Sequence, residues 1–240
     1  MTAATMSTPN FRFKQFTIWH DQCAMKVGTD GVLLGAWSPI EDFKLQIANI
    51  RMLDVGTGSG LIARMLMQRC PEADVEGIDI DESAVQQACK NGVKAHLSRL
   101  QAWDGGPYDL IVSNPPFFRN SLKNPDEGRK TARHTDSLSY EDLLAHSARL
   151  LAEGGRLALI LPAETEDEIR TLAARYSLYC THITRVYSKA TKPARRVMMS
   201  FVRNTVIPEY RDIEMDSLVL EDEKGGRSAA YQELTKDFYL

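Results

Sequence analysis

From about residue 50 the chain alternates short apolar runs with longer stretches of helical periodicity, a rhythm that a layered α/β architecture of β-α-β units accommodates. Five runs read as strands: 50–55, 75–80, 110–112 within the longer run Tyr108 to Ser113, 157–161 and 197–202. A compressed strand over 95–100 and another near 183–187 bring the number to seven. The intervening helices have recognisable ends. Pro71 follows the helix that starts near Ser59, and the helix from Glu82 puts Val85, Ala88 and Cys89 on one face before Asn91-Gly92 stops it. Ser139, with Asp142 three residues on, caps a helix carrying Leu143, Leu144, Ser147 and Leu151, and Gly154-Gly155 ends it. A further helix carries Ile169, Leu172, Ala173 and Tyr176. The last two strands, joined by the basic loop 188–196, read as an antiparallel pair at the sheet border. The expected fold is therefore α/β, with a doubly wound, mostly parallel seven-stranded sheet and a reversed edge strand.

Residues 11–37 and the C-terminal Tyr231, Leu234 and Phe238 fall outside that rhythm. The expected organisation is one domain over 1–240, with an N-terminal segment 1–37, a core 38–207 and a C-terminal extension 208–240. At 240 residues and 43% hydrophobic, the chain is long enough to bury a substantial core. Its longest aliphatic run, Leu157 to Leu161, is far short of the roughly 20 residues a membrane span requires. The N-terminus lacks the basic and apolar regions of a secretory signal, so a cytoplasmic protein is expected. Cys23, Cys70, Cys89 and Cys180 form no C-x-x-C pair and have no histidine at ligand spacing, which reads as reduced thiols and no metal. The expected state is a monomer. A formal net charge of −3 argues against a globally basic nucleic-acid coat but leaves a locally basic face open.

Directly after the first strand comes Asp54-Val55-Gly56-Thr57-Gly58-Ser59-Gly60, which opens a helix. Glycines there permit a sharp turn and close approach of a ligand to the main chain. A dinucleotide site of G-x-G-x-x-G type would need a glycine where Leu61 stands, and a P-loop would need a lysine that is absent. The spacing D-x-G-x-G-x-G instead resembles motif I of class I S-adenosylmethionine-dependent methyltransferases. That cofactor ends in an ammonium and a carboxylate. Asp54 can attract the first, and backbone N–H groups at the helix start can face the second. The resemblance implies cofactor contacts at Gly56, Thr57, Gly58 and Gly60, and at the tip of the second strand a ribose-binding role for Asp79, with Ile80 beside it. Asp81 competes for that role but also suits the N-cap of the next helix.

The strand ending at Ser113 runs into Asn114-Pro115-Pro116-Phe117. A proline turn is one reading. The other follows from position, since open α/β sheets bind ligands at the carboxyl ends of their strands. Proline lacks an N–H, so the backbone here offers carbonyl acceptors at fixed φ. With the Asn114 amide oxygen, a Pro115 carbonyl can accept both protons of a planar exocyclic amine and aim its lone pair at a methyl donor. Phe117 offers a face for stacking. The segment resembles the signature of methyltransferases that modify adenine N6, cytosine N4, guanine N2 or a glutamine amide.

Flanking blocks narrow the target. Phe11 to Phe16, Cys23 to Trp37 and the terminal Leu234-Thr235-Lys236-Asp237-Phe238-Tyr239-Leu240 resemble the bacterial tRNA (adenine-N6)-methyltransferase family that acts on adenosine 37 of valine tRNA. The resemblance implies that Lys26, Thr29 and Asp30 line the cofactor site, although Asp30-Gly31 also reads as a simple turn. It implies Asn114, Pro115, Pro116 and Phe117 as catalytic, Asn114 as a cofactor contact as well, S-adenosyl-L-methionine as cofactor and tRNA as partner. The acid that many class I enzymes direct at the cofactor adenine is missing, and Ser98 or Arg99 takes its place. Two basic segments suit RNA: Arg119, Lys123, Arg129, Lys130 and Arg133 in 119–134, and Arg185, Lys189, Lys192, Arg195, Arg196 and Arg203 in 185–203, the second without an acid. Of the latter, Lys189, Lys192, Arg195 and Arg196 are the expected RNA contacts. An acidic segment, 209–223, offsets them. Guanine N2 of ribosomal RNA, a glutamine amide of a protein and a catalytically silent RNA-binding module remain open as alternatives.

Overall fold

The computed structural model describes residues 9–23, 26–41, 49–116, 138–204 and 212–240. A short hairpin, β1 (Asn10–Arg12) and β2 (Thr17–Trp19), leads into helix α1 (Thr29–Trp37). The alternating region follows as β3 (Arg51–Val55), α2 (Leu61–Arg69), β4 (Asp74–Asp79), α3 (Glu82–Lys90), β5 (Lys94–Leu97) and β6 (Tyr108–Ser113). Next come α4 (Tyr140–Leu150), β7 (Leu151–Pro162), α5 (Glu166–Ala174), β8 (Leu178–Tyr187), β9 (Arg196–Arg203), β10 (Glu214–Val219) and α6 (Ala229–Thr235).

The large sheet has the order β10-β8-β9-β7-β6-β3-β4-β5, and β9 alone runs against the other strands. The doubly wound α/β expectation holds, with two changes. Among the described residues this sheet has eight strands, and the reversed strand β9 lies inside it, because it pairs with β7 on one side and β8 on the other, while β10 adds to β8 in parallel as the border. Alternate residues of the central strands feed opposite faces, as a sheet covered on both sides requires. Met52, Leu110, Val112, Ala158, Ile160 and Met198 pack with α1 and α2. Leu53, Ile111, Leu157, Leu159, Leu161 and Met199 pack with α4 and α5. A third cluster joins Phe13, Phe16 and Ile18 of the N-terminal hairpin region to Val32, Leu61, Met65 and the C-terminal Phe238.

Three local expectations are corrected. Helix α4 starts where expected, with Ser139 accepting from the Asp142 N–H, but it stops at Leu150. Gly154-Gly155 lies inside β7, where the pairing with β6 slips between Tyr108 and Leu110 and Gly154 takes φ +77°. The third strand is shorter, Lys94–Leu97, because a helical turn at Leu100–Ala102 buries Leu100. In α3 the buried residues are Ala84, Gln87 and Ala88, and Cys89 is exposed. A buried glutamine is invisible to an apolar pattern; Gln87 is inside because its side chain has a backbone partner.

Candidate active site

The glycine loop leaves the carboxyl end of β3 where the winding reverses, with β4 on one side and β6 on the other. Gly56 (φ +72°) and Gly58 (φ +54°) occupy the left-handed region, and a Cβ on either would meet nothing within 4 Å. Both therefore present bare backbone to open space. Gly60 does something else. A Cβ there would come within 2.8 Å of Val93 Cγ2 and 3.3 Å of Ala88 Cβ, so Gly60 packs closely against α3, and it lines neither of the adjoining cavities.

The loop is tied from behind. The Gly56 and Thr57 N–H groups donate to the Ile78 carbonyl at 2.9 and 3.0 Å, and the Gly58 N–H donates to Asp79 Oδ2 at 2.9 Å. Asp54 is fully buried. Its Oδ2 accepts from Thr57 Oγ1 (2.8 Å) and the Ala63 N–H (3.2 Å), while its Oδ1 is buried without a hydrogen-bond partner. Burial pushes this carboxyl up to about 7, against the lowering effect of those two bonds. Asp54 lines neither adjoining cavity, so it acts on the site through Thr57 and the α2 start.

Two cavities, of about 250 and 360 Å³, meet at Gly56, Gly58, Asn114, Pro115 and Pro116. Asp79, Ile80 and Ser98 line the first. Lys26, Thr29, Asp30 and Thr57 line the second. The two strand-tip acids have different partners. Asp81 Oδ1 accepts from the Ser83 N–H and hydroxyl at 2.9 and 2.8 Å, which caps α3 and holds this carboxyl below its ordinary pKa, whereas Asp79 lies at the crevice with its carboxylate oriented by Gly58 and Asp81 N–H groups. Ser113 Oγ donates to the Val55 carbonyl at 2.8 Å, fastening the end of β6 to β3 immediately before Asn114. Phe117 and the basic residues Arg119, Lys123, Arg129, Lys130 and Arg133 lie outside the described residues.

Sequence reasoning missed Cys23 and Gln101, which also line the first cavity. Gln101 belongs to no motif, and Cys23 opens the Cys23 to Trp37 block without a residue type that signals a ligand. Burial, with Asp79, Asp81 and Asp21 nearby, pushes the Cys23 thiol up to about 11, so it stays protonated there.

Several cations of the basic segment 185–203 have acidic partners. Arg185 forms two bonds to Glu166 (2.8 and 2.6 Å), Lys189 pairs with Glu221 (3.3 Å), Arg196 with Asp30 (2.8 Å) and Arg203 with Glu153 (3.2 Å). The segment contains no acid of its own, but the fold delivers acids from α1, α5, β7 and the stretch after β10. Lys192 and Arg195 are exposed and have no carboxylate partner among the described residues. Asp30 likewise lines its cavity with one oxygen already committed to Arg196.

The methyltransferase small domain family matches residues 40–177. The tRNA1(Val) (adenine(37)-N6)-methyltransferase of Bacteroides fragilis is 43% identical over 98% of this chain and 99% of its own. The chain belongs to the tRNA1(Val) (adenine(37)-N6)-methyltransferase family. Its Aeromonas hydrophila member is 41% identical over 96% of this chain and 97% of its own. Among solved structures, the fold is similar to a protein of Agrobacterium tumefaciens described as a predicted O-methyltransferase (TM-score 0.61, 15% identity, 87% of this chain and 96% of that one). It is also similar to the T. thermophilus 16S rRNA N2 G1207 methyltransferase in complex with AdoMet and guanosine (TM-score 0.57, 17% identity, 85% of this chain and 46% of that one).

The crevice of this tRNA1(Val) (adenine(37)-N6)-methyltransferase family member fits S-adenosylmethionine. Gly56 and Gly58 leave free the volume that side chains would fill, and Ile78, Ile80 and Leu100 give the first cavity an apolar wall. Asp79 adds a carboxylate for hydroxyl groups, and the unpartnered Asp54 Oδ1 lies behind the loop. No helix among the described residues is long and apolar enough to cross a membrane.

Proposed function

We propose that this chain methylates the exocyclic N6 of adenosine 37 in valine tRNA, in the cytoplasm. The observation that carries the reading is the place of Asn114-Pro115-Pro116, at the wall shared by the two cavities and fixed there by the Ser113 bond to β3. S-adenosylmethionine would supply an electrophilic methyl group on its sulfonium. Asp79 would take the ribose hydroxyls, Ile80 and Ser98 would flank the adenine ring, and the Gly56 to Gly58 backbone would lie against the methionyl portion, with Lys26, Thr29 and Thr57 across from it. Asp54 would favour the ammonium through its field and hold Thr57 in place.

The Asn114 amide oxygen and the Pro115 carbonyl would accept the two amine protons of the target adenine. This withdraws the nitrogen lone pair from the ring and fixes its direction, so catalysis is alignment and dipole placement with no covalent intermediate. The nitrogen would gain the methyl group as its bond to sulfur breaks, leaving S-adenosylhomocysteine, and would then lose one proton to solvent. Phe117 would stack the extruded base, and Lys192 and Arg195 would take backbone phosphates.

The test is incubation with labelled cofactor and total tRNA from a strain lacking the protein, followed by nucleoside analysis. N6-methyladenosine at position 37 of valine tRNA is expected. Label in guanine N2 or in a protein glutamine would overturn the target, and tight RNA binding without transfer would overturn the reaction.

A further inference from the structure

The sequence marks Asn91 as the residue that stops α3, yet its side chain is turned inward and is only 8% exposed. Its Oδ1 accepts from the Trp19 N–H at 3.0 Å. Its Nδ2 donates to the Trp19 carbonyl and to the Ser59 carbonyl, both at 2.8 Å. One amide thus satisfies both backbone groups of residue 19, as a neighbouring strand would, and with its second N–H holds the glycine loop next to Gly58. Two further bonds continue the contact along α3: the Gln22 N–H donates to Gln87 Oε1 at 3.1 Å, and Lys90 Nζ donates to Gln22 Oε1 at 2.8 Å.

The chain that emerges from this contact supplies wall to both cavities. Cys23 lines the first, and Lys26 with Gly28 to Gly31 lines the second. The opposite wall is the glycine loop. Ser59 itself lines the second cavity. The two walls come from segments some forty residues apart in sequence, and the Asn91 side chain bonds to both segments. Its buried position removes water as a substitute partner, so loss of the amide leaves three backbone groups to find new arrangements.

We propose that Asn91 is a positioning residue for the cofactor: it sets the distance between the N-terminal wall and the glycine loop, and thereby the width of the crevice. The proposal rests on the reading of that crevice as the S-adenosylmethionine site. It predicts an effect on cofactor binding and not on the chemistry at Asn114.

The experiment compares wild type, Asn91→Ala and Lys90→Met, the last being a surface change that removes only the bond to Gln22. Calorimetric titration with S-adenosylhomocysteine and KM for the donor are measured beside thermal unfolding and amide exchange. Asn91→Ala should weaken cofactor binding about tenfold, with kcat at saturating donor within about twofold of wild type. Lys90→Met should move Kd the same way by about twofold. Amide exchange should quicken at residues 19–22 without spreading to the sheet. An unchanged Kd for folded Asn91→Ala protein, or a fall in kcat at saturation with Kd unchanged, would overturn the proposal. If Asn91→Ala does not fold, Lys90→Met with unchanged Kd despite quicker exchange at 19–22 does the same. Failure of the wild type itself to bind S-adenosylhomocysteine would instead remove the cofactor reading on which the proposal stands.

Discussion

The glycine loop and the basic segment 185–203 show opposite ways of spending polar groups. In the loop the bonds of the buried Asp54 are short in sequence, to Thr57 and to Ala63, and Gly56 and Gly58 are left facing open space. In the basic segment they are long in sequence, Arg196 to Asp30 and Lys189 to Glu221, and they consume the charge that the composition displayed. A local motif carries its own geometry. A run of cations carries none until the fold has chosen their partners.

The contrast can be broken most severely where the loop meets Asn114. Asn114→Ala should lower kcat by about a hundredfold or more while Kd for the cofactor stays within about twofold, because it removes an acceptor for the target amine alone. Single-turnover rates and titration separate the two, and a matching loss of cofactor affinity would remove the assigned role. Gly58→Val comes next. A β-branched side chain at φ +54° is strained and projects into the crevice, so cofactor binding should weaken by about tenfold or more. Retained affinity, measured by calorimetry, would mean that the ligand does not lie along this backbone.

Smaller effects test the basic segment. Replacing Lys192 and Arg195 together by Ala should weaken tRNA binding several-fold and reduce the slope of log K against log salt by about 1.5. Lys189→Ala should leave that slope nearly unchanged, since Glu221 already holds the ammonium. Equal slopes for all variants would take the loop off the RNA. The last test reads stability instead of binding and concerns Asp54. The folded chain holds its proton up to about pH 7, whereas an unfolded aspartate releases it near about 3.9. Between those values the folded state binds more protons, so the contribution of Asp54 to stability is full below this window and declines as pH rises through it. Without cofactor, urea unfolding of Asp54→Asn should lack that decline. Parallel stability curves for the two proteins from pH 4 to 7 would disprove it.

The sheet was legible because its strands are buried on both faces and read as continuous apolar runs, and Asp79 and Asn114 were legible because they stand at strand tips beside a glycine loop. The rest depended on distant partners. Gly154-Gly155 resembles a helix stop until the slip between β6 and β7 is seen. Gln87 and Asn91 are polar residues inside because backbone from residues 19 and 22 reaches them. Gly60 fits the loop pattern but faces α3. β10 was hidden in an acidic segment, since Glu214, Met215, Asp216 and Ser217 are all exposed and only Leu218 is buried.

That last strand has a consequence beyond its place in the order. A parallel sheet that ends in a bare ribbon invites the ribbon of another copy to dock on it, and growth of that kind ends in precipitate. Here the outermost ribbon carries carboxylates at 214 and 216, so two copies approaching seam to seam bring like charges together. The acids that disguised the total charge of the chain are posted along its frontier, where they discourage self-recruitment.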